Sequence, residues 1–246
     1  SALQSLKPSA HESISNKTEA ATANKWYTAS AANVGASTID NDTKEALTGL
    51  TGYVVEYKVY LTVAVGANSA HNLTVQPKFT VDTFIKTEDT EVASGKEYYT
   101  FKEATTTAGE NPSDKGYYEN KGTSDKPVYT KTTDKSVGAD KNYYTATTVA
   151  EPVEGNISTY YQKSQEVRVL VVSDNNVVVD LGVENEKTES NLYADGKNNE
   201  ITSNTVHEVC FYVYVDGNAS NLYTNNKANL NNVKLELVFG VDVKAA

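Results

Sequence analysis

An all-β fold is predicted for this chain: a jelly-roll-like antiparallel β-sandwich with an inserted small β module made of two similar repeats. Three observations predict it. Near the C-terminus Val209, Phe211, Val213 and Val215, and then Val233, Leu235, Leu237, Phe239 and Val241, all fall on odd positions. Period two over such lengths reads as half-buried antiparallel strands. Thr, Val, Tyr and Asn are plentiful while the helix formers are modest, a balance that favours strands and turns. Finally, the polar stretch between Phe84 and Ser164 repeats itself.

Residues 1–14 form a short arm whose main apolar groups are Leu3 and Leu6, with Pro8 beyond them. Three positions separate those leucines, so they do not share one face of a regular strand. Residues 15–85 and 165–246 are assigned to the sandwich. Trp26 and Tyr27 are expected core contacts in an Ala-, Thr- and Asn-rich stretch. The best short helix is TIDNDTKEALTGL, where Asp40 or Asn41 caps and Gly49 terminates. The first strong strand is GYVVEYKVYLTVAVG. It carries Val55, Tyr57, Val59, Leu61, Val63 and Val65 on one face, with Glu56, Lys58 and Thr62 on the other. In the next, NLTVQPKFTVDTFI, Pro77 cannot donate to a ladder, which marks an edge or a bulge. Glu166–Val172 and Asn176–Gly182, joined through Ser-Asp-Asn, read as a hairpin. The two C-terminal strands complete the set, and regular strands with turn signals suggest a sandwich or jelly roll.

Residues 86–164 form the insert, rich in Tyr, Thr and Lys. FIKTEDTEVASGKEYYT from Phe84 matches YTKTTDKSVGADKNYYT from Tyr129 at an offset of 45 residues, pairing Lys86 with Lys131, Asp89 with Asp134, Val92 with Val137 and Thr100 with Thr145. Tyr98-Tyr99 recurs as Tyr143-Tyr144, and Tyr117-Tyr118 recurs at an offset of 43 as Tyr160-Tyr161. Two copies are fewer than a solenoid needs, so they must lean on each other or on the host sheet. In a strand, neighbouring residues face opposite sides. One tyrosine of each pair can therefore build a small core while the other faces solvent, a partner or a sugar. Tyr98, Tyr99, Tyr117, Tyr118, Tyr143, Tyr144, Tyr160 and Tyr161 are accordingly the candidate surface-recognition residues, with glycans or neighbouring fibres as partners. Core packing with ordinary surface tyrosines is the plainer alternative.

The net charge is −10 and Arg168 is the only arginine, so the chain lacks the basic face of a nucleic-acid binder or an anionic-membrane binder. Cys210, the single cysteine, excludes an intrachain disulfide; it is expected as a small side chain on a strand beside Phe211. No apolar run approaches the ~20 residues of a membrane-spanning helix. The chain opens Ser1-Ala2-Leu3 and contains no methionine, which predicts a mature, processed product.

No catalytic, cofactor-binding or metal site is expected. His11, His71 and His207 have no histidine partner at ligand spacing and no HExxH occurs, so zinc-protease chemistry lacks its ligands. No GxSxG elbow is present, and Cys210 has no His-Asn pattern near it. Glu184, Glu186 and Asp216 read as solvated surface acids. VDGNASN and SDNN read as plain turns rather than calcium loops, because neither follows the EF-hand pattern.

The stretches TGYVVEYKVYLTVAVGAN, LVVSDNN and VYVDGNASNLYTNNKANLNNVKLELVF resemble the TasA/camelysin family of secreted Gram-positive proteins, over roughly residues 25–85 and 165–246. The resemblance implies a jelly-roll sandwich, export through a dedicated signal peptidase, an extracellular, cell-surface location, and fibres in a biofilm matrix. In such fibres, copies of one chain assemble by donor-strand exchange. It makes residues 1–12 the donor, with Ala2, Leu3 and Leu6 as the subunit-interface residues, and the insert lies outside the family's pattern. The KTxDxxV…GKxYYT units resemble decoration or spacing modules in surface and fibre proteins of gut bacteria and their phages. A structural filament subunit without enzymatic activity is therefore expected. Its rivals are a surface adhesin or glycan-binding module and a phage decoration protein.

Overall fold

A computed structural model describes residues 6–28, 45–64, 69–164, 166–192, 200–201, 204–217 and 233–244. It divides into two compact units, Ser1–Phe79 with Gln165–Ala246, and Thr80–Ser164. The chain is nearly all β, and the sheets are antiparallel.

In the first unit, β1 (Ser9–His11), β2 (Trp26–Thr28) and β3 (Glu45–Ala46) form a small three-stranded sheet. A larger sheet contains β4 (Val54–Thr62), β12 (Val167–Ser173), β13 (Val178–Leu181) and β16 (Val206–Val215) in the order β13-β12-β16-β4. Another is built on β5 (Ser69–Thr80), which pairs with β14 (Ser190–Asn191), β15 (Glu200–Ile201) and β17 (Lys234–Lys244). The 167–173/178–181 hairpin and both C-terminal strands therefore form as the alternation predicts. Phe211 of β16 meets Phe239 of β17 at 6.0 Å between ring centroids, which brings the odd face of the larger sheet against the β5–β17 sheet.

The even face of β16 is buried as well. From Val209 to Val215 the run VCFYVYV has no charged side chain and its only strongly polar groups are two tyrosine hydroxyls, and such a strand is covered on both sides. Cys210, Tyr212 and Tyr214 pack there with Leu170, Val172, Ile14, Ala20, Trp26, Leu47 and Val54. The N-terminal residues supply this cover. Asn16 caps the four-residue helix α1 (Lys17–Ala20) by accepting from the Glu19 amide. Trp26, fully buried, donates its indole N–H to the Ala20 carbonyl at 2.9 Å. The helix expected over 38–50 falls partly outside the described residues; Glu45–Ala46 is instead β3, paired with Tyr27 and Thr28. The Leu47 amide donates to the Trp26 carbonyl, which sends the Leu47 side chain into the core rather than along a helix. Pro77 lies past Val75, the last residue that β5 pairs with β14.

The second unit is a closed barrel of six strands: β6 (Thr83–Lys86), β7 (Tyr99–Glu103), β8 (Tyr118–Asn120), β9 (Val128–Lys131), β10 (Tyr143–Thr148) and β11 (Tyr161–Lys163). Phe84 and Ile85 thus belong to the insert, whose boundary lies earlier than the sequence suggests. Phe84, Tyr99, Phe101, Tyr118, Tyr129, Tyr144 and Tyr161 form one chain of ring contacts, including a Phe101–Tyr129 stack at 4.0 Å. This aromatic cluster fills a barrel too small to hold a cavity.

Candidate assembly surfaces

Two features of the sandwich bear on strand addition: the amino-terminal arm and the free edge of β4. Ala2 and Leu3 lie outside the described residues. Leu6 is 3% exposed, and next to it the Lys7 amide donates to the Gly52 carbonyl at 2.7 Å. Ser9, Ala10 and His11 pair with Thr28, Tyr27 and Trp26, and Ser9 also bridges Asp216. Of the expected donor, residues 1–12, the part from Leu6 to His11 is folded onto its own chain in this structure. The physical reason is that Ser9–His11 pair with β2, whose Trp26 buries with Ile14 and Ala20 against the apolar even face of β16.

A charged cluster fixes this arm. His11 Nε2 lies 3.3 Å from Asp180 Oδ2, and Tyr214 Oη donates to the same carboxylate at 3.0 Å. Arg168 donates from Nε to Asp180 Oδ1 at 3.2 Å and from Nη1 to Glu184 Oε1 at 2.6 Å. Burial works to raise the Asp180 pKa, but His11, Arg168 and Tyr214 together hold it below the ordinary carboxylate value. Burial pushes the Tyr214 hydroxyl well up. Burial also opposes the guanidinium charge, yet Asp180, Tyr214 and Glu184 outweigh it and Arg168 stays cationic. Glu184 is thus a partner in a partly buried ion network rather than a solvated acid. No spacing signal links residues 11, 168, 180, 184 and 214; the lone arginine on a strongly apolar strand is the one available hint.

At the opposite side of the larger sheet β4 pairs with β16 from Val54 through Thr62. Among the described residues its outer edge has no strand partner. Tyr57 and Tyr60 on this nine-residue strand are 54% and 63% exposed. A strand this long with free backbone groups on one side is a template for another chain.

The tyrosine pairs lie largely within the second unit. Tyr98, Tyr143 and Tyr160 are buried, and Tyr99, Tyr117, Tyr118, Tyr144 and Tyr161 are half-buried. The second member of each pair contributes to the aromatic cluster of the barrel. Of the first members, Tyr98 and Tyr160 pack with Ile157, and Tyr117 approaches Tyr143 at 6.3 Å. Alternation sends the two residues of a pair to opposite sides as expected, but the loops cover the outer one. Asp89 accepts from Lys96 at 2.7 Å, Tyr98 at 2.9 Å and Gln162 at 2.7 Å. Asp134 repeats the arrangement with Lys141 at 2.7 Å and Tyr143 at 2.8 Å.

Among the described residues no three His, Cys, Asp or Glu side chains come together to hold a metal, and no helix is long and apolar enough to cross a membrane. Cys210 is buried, and that burial raises its thiol pKa. Comparison with known protein families, curated proteins and solved structures returned no match.

Proposed function

We propose that this chain is a structural, non-enzymatic subunit of an extracellular filament, joined to further copies by strand addition. The observation that carries this is the edge of β4, which has no strand partner among the described residues, is nine residues long and bears exposed Tyr57 and Tyr60. An incoming strand gains main-chain hydrogen bonds there, and burying about 200–400 Å² of apolar surface contributes roughly 5–10 kcal/mol before ordering costs. The amino-terminal segment is the donor. It is held to its own chain by a three-residue ladder, the buried Leu6, the Lys7–Gly52 hydrogen bond, the Ser9–Asp216 bridge and the His11–Asp180 contact. Release in one copy followed by capture on the next is a head-to-tail contact that does not close, which makes a filament. An extracellular, cell-surface location belongs to this proposal. The glycan-binding alternative loses support because the eight tyrosines proposed for it are buried or half-buried.

Negative-stain microscopy of the full chain tests the proposal: filaments are expected, and discrete particles under all conditions overturn it. The donor assignment has its own test. Ala10 and Tyr27 are paired neighbours, so Ala10→Cys with Tyr27→Cys locks the arm in place when oxidised. Locked protein should stay monomeric and elongate once reduced; equal elongation in both states rejects the arm as donor.

A further inference from the structure

In the barrel the two repeats, residues 84–120 and 129–163, are interleaved without exception. Around the ring the order is β10-β7-β11-β6-β9-β8, so strands of the second repeat alternate with strands of the first. The ladders are β10–β7, β10–β8, β11–β6, β11–β7, β6–β9 and β8–β9. No ladder joins two strands of one repeat. A single repeat therefore brings strands that find partners only in another repeat.

One position makes the partnership unlike-with-unlike. Phe101 of the first repeat corresponds, at the offset of 45, to Ala146 of the second. Phe101 fills the barrel by stacking on Tyr129 and touching Phe84, Tyr118 and Tyr161. Two first repeats would place two phenylalanines in this space, and two second repeats would leave it empty. At the offset of 43, Glu119 corresponds to Gln162. Gln162 donates to Asp89 of the other repeat, whereas Glu119 accepts from Lys141 at 3.1 Å and Thr132 at 3.2 Å of its opposite repeat.

We propose that the insert is a coupling element that joins two copies of this chain: the first repeat of one copy closes a barrel with the second repeat of another. Within one chain the connection 121–127 favours closure. Asn120 Oδ1 accepts from the Gly122 and Val128 amides at 2.9 and 3.0 Å. Gly122 has no room for a side chain, since a Cβ would run into the Lys126 carbonyl and the Val128 nitrogen. With that turn formed, the short link holds the repeats at an effective concentration in the millimolar range. Crowded chains, or a disfavoured turn, shift pairing between copies without any new contact. The inference goes beyond the filament proposal and is independent of it, because its readout is a discrete linked pair.

Thr100 and Thr147 lie opposite each other on β7 and β10, and both are exposed. Two differently tagged full-length copies, one with Thr100→Cys and the other with Thr147→Cys, are unfolded, mixed, refolded and oxidised; buried Cys210 does not compete. The expected product is a disulfide-linked pair carrying both tags. Its yield should rise about tenfold for a tenfold increase in chain concentration while it is the minor species, and rise further when both copies carry Gly122→Val. A chain with both cysteines reports ordinary closure. If that chain forms its internal disulfide while no mixed pair appears at any concentration, with or without Gly122→Val, the proposal is overturned.

Discussion

Arg168 and Asp180 meet across the β12–β13 pair with Nε 3.2 Å from Oδ1, and the same carboxylate accepts from Tyr214 and touches His11. One acid thus ties together the hairpin, the central strand and the amino-terminal arm. Removing the cation leaves Asp180 and Glu184 without their counter-charge in a site where Arg168 is only 17% exposed. Arg168→Ala should cost about 3–5 kcal/mol, and Arg168→Lys should recover only part of it, because an ammonium cannot satisfy both carboxylates through a planar fork. Urea unfolding followed by far-UV circular dichroism measures both; a loss under about 1 kcal/mol for the alanine variant would contradict the assigned role.

Trp26 is the only tryptophan and is fully buried between the N-terminal layer and β16, with His11 at 5.0 Å and Tyr214 at 5.2 Å between ring centroids. Trp26→Ala should cost about 3–5 kcal/mol as a large-to-small core change. In the native chain its fluorescence reports the arm directly. Emission should be that of a buried indole in the monomer and move to longer wavelength when residues 6–11 are detached. An unmoved spectrum in a variant with residues 1–11 removed would show that the arm does not cover the ring.

The alternation along β4, β12, β16 and β17 was legible because period two is a local property of the sequence. The repeat was legible too, down to the equivalence of Asp89 with Asp134. What could not be read is which strands pair with which. Ladder partners are non-local, and the same two copies could have formed two separate sheets. The cover over Cys210, Tyr212 and Tyr214 was hidden for a related reason. Ile14, Ala20, Trp26 and Leu47 follow no single helical or strand period in the sequence and meet only in the folded chain. The absence of any charged residue from Val209 to Val215 did signal that something must cover the even face.

The insert should lose stability in acid. Burial works to raise the Asp89 pKa, but Lys96, Tyr98 and Gln162 together bring it below its usual value; at Asp134 the bonds from Lys141 and Tyr143 do the same. For a group whose folded pKa is depressed, the stabilisation is present above the unfolded value, about 4, and is lost as pH falls through it toward the folded value. Near-UV circular dichroism of the tyrosine-rich insert should show its thermal midpoint falling below about pH 4. Asp89→Asn with Asp134→Asn should flatten that dependence, and an unchanged slope would dissociate these carboxylates from it.

On the alkaline side the sign is opposite. Burial raises the hydroxyl pKa of Tyr129, Tyr212 and Tyr98, with the neighbouring Glu56 acting in the same direction on Tyr212. Their contribution is complete below the unfolded value, about 10, and is lost as pH rises through the higher folded values. Phenolate absorbance should therefore rise in two stages. The hydroxyls of Tyr129, Tyr212 and Tyr98 belong to the late stage and ionise only together with unfolding. Tyr129→Phe should remove one proton from the late stage and leave the early one intact, since Tyr129 sits 8% exposed inside the ring cluster. A single early transition comprising all tyrosines would mean that the barrel interior admits water.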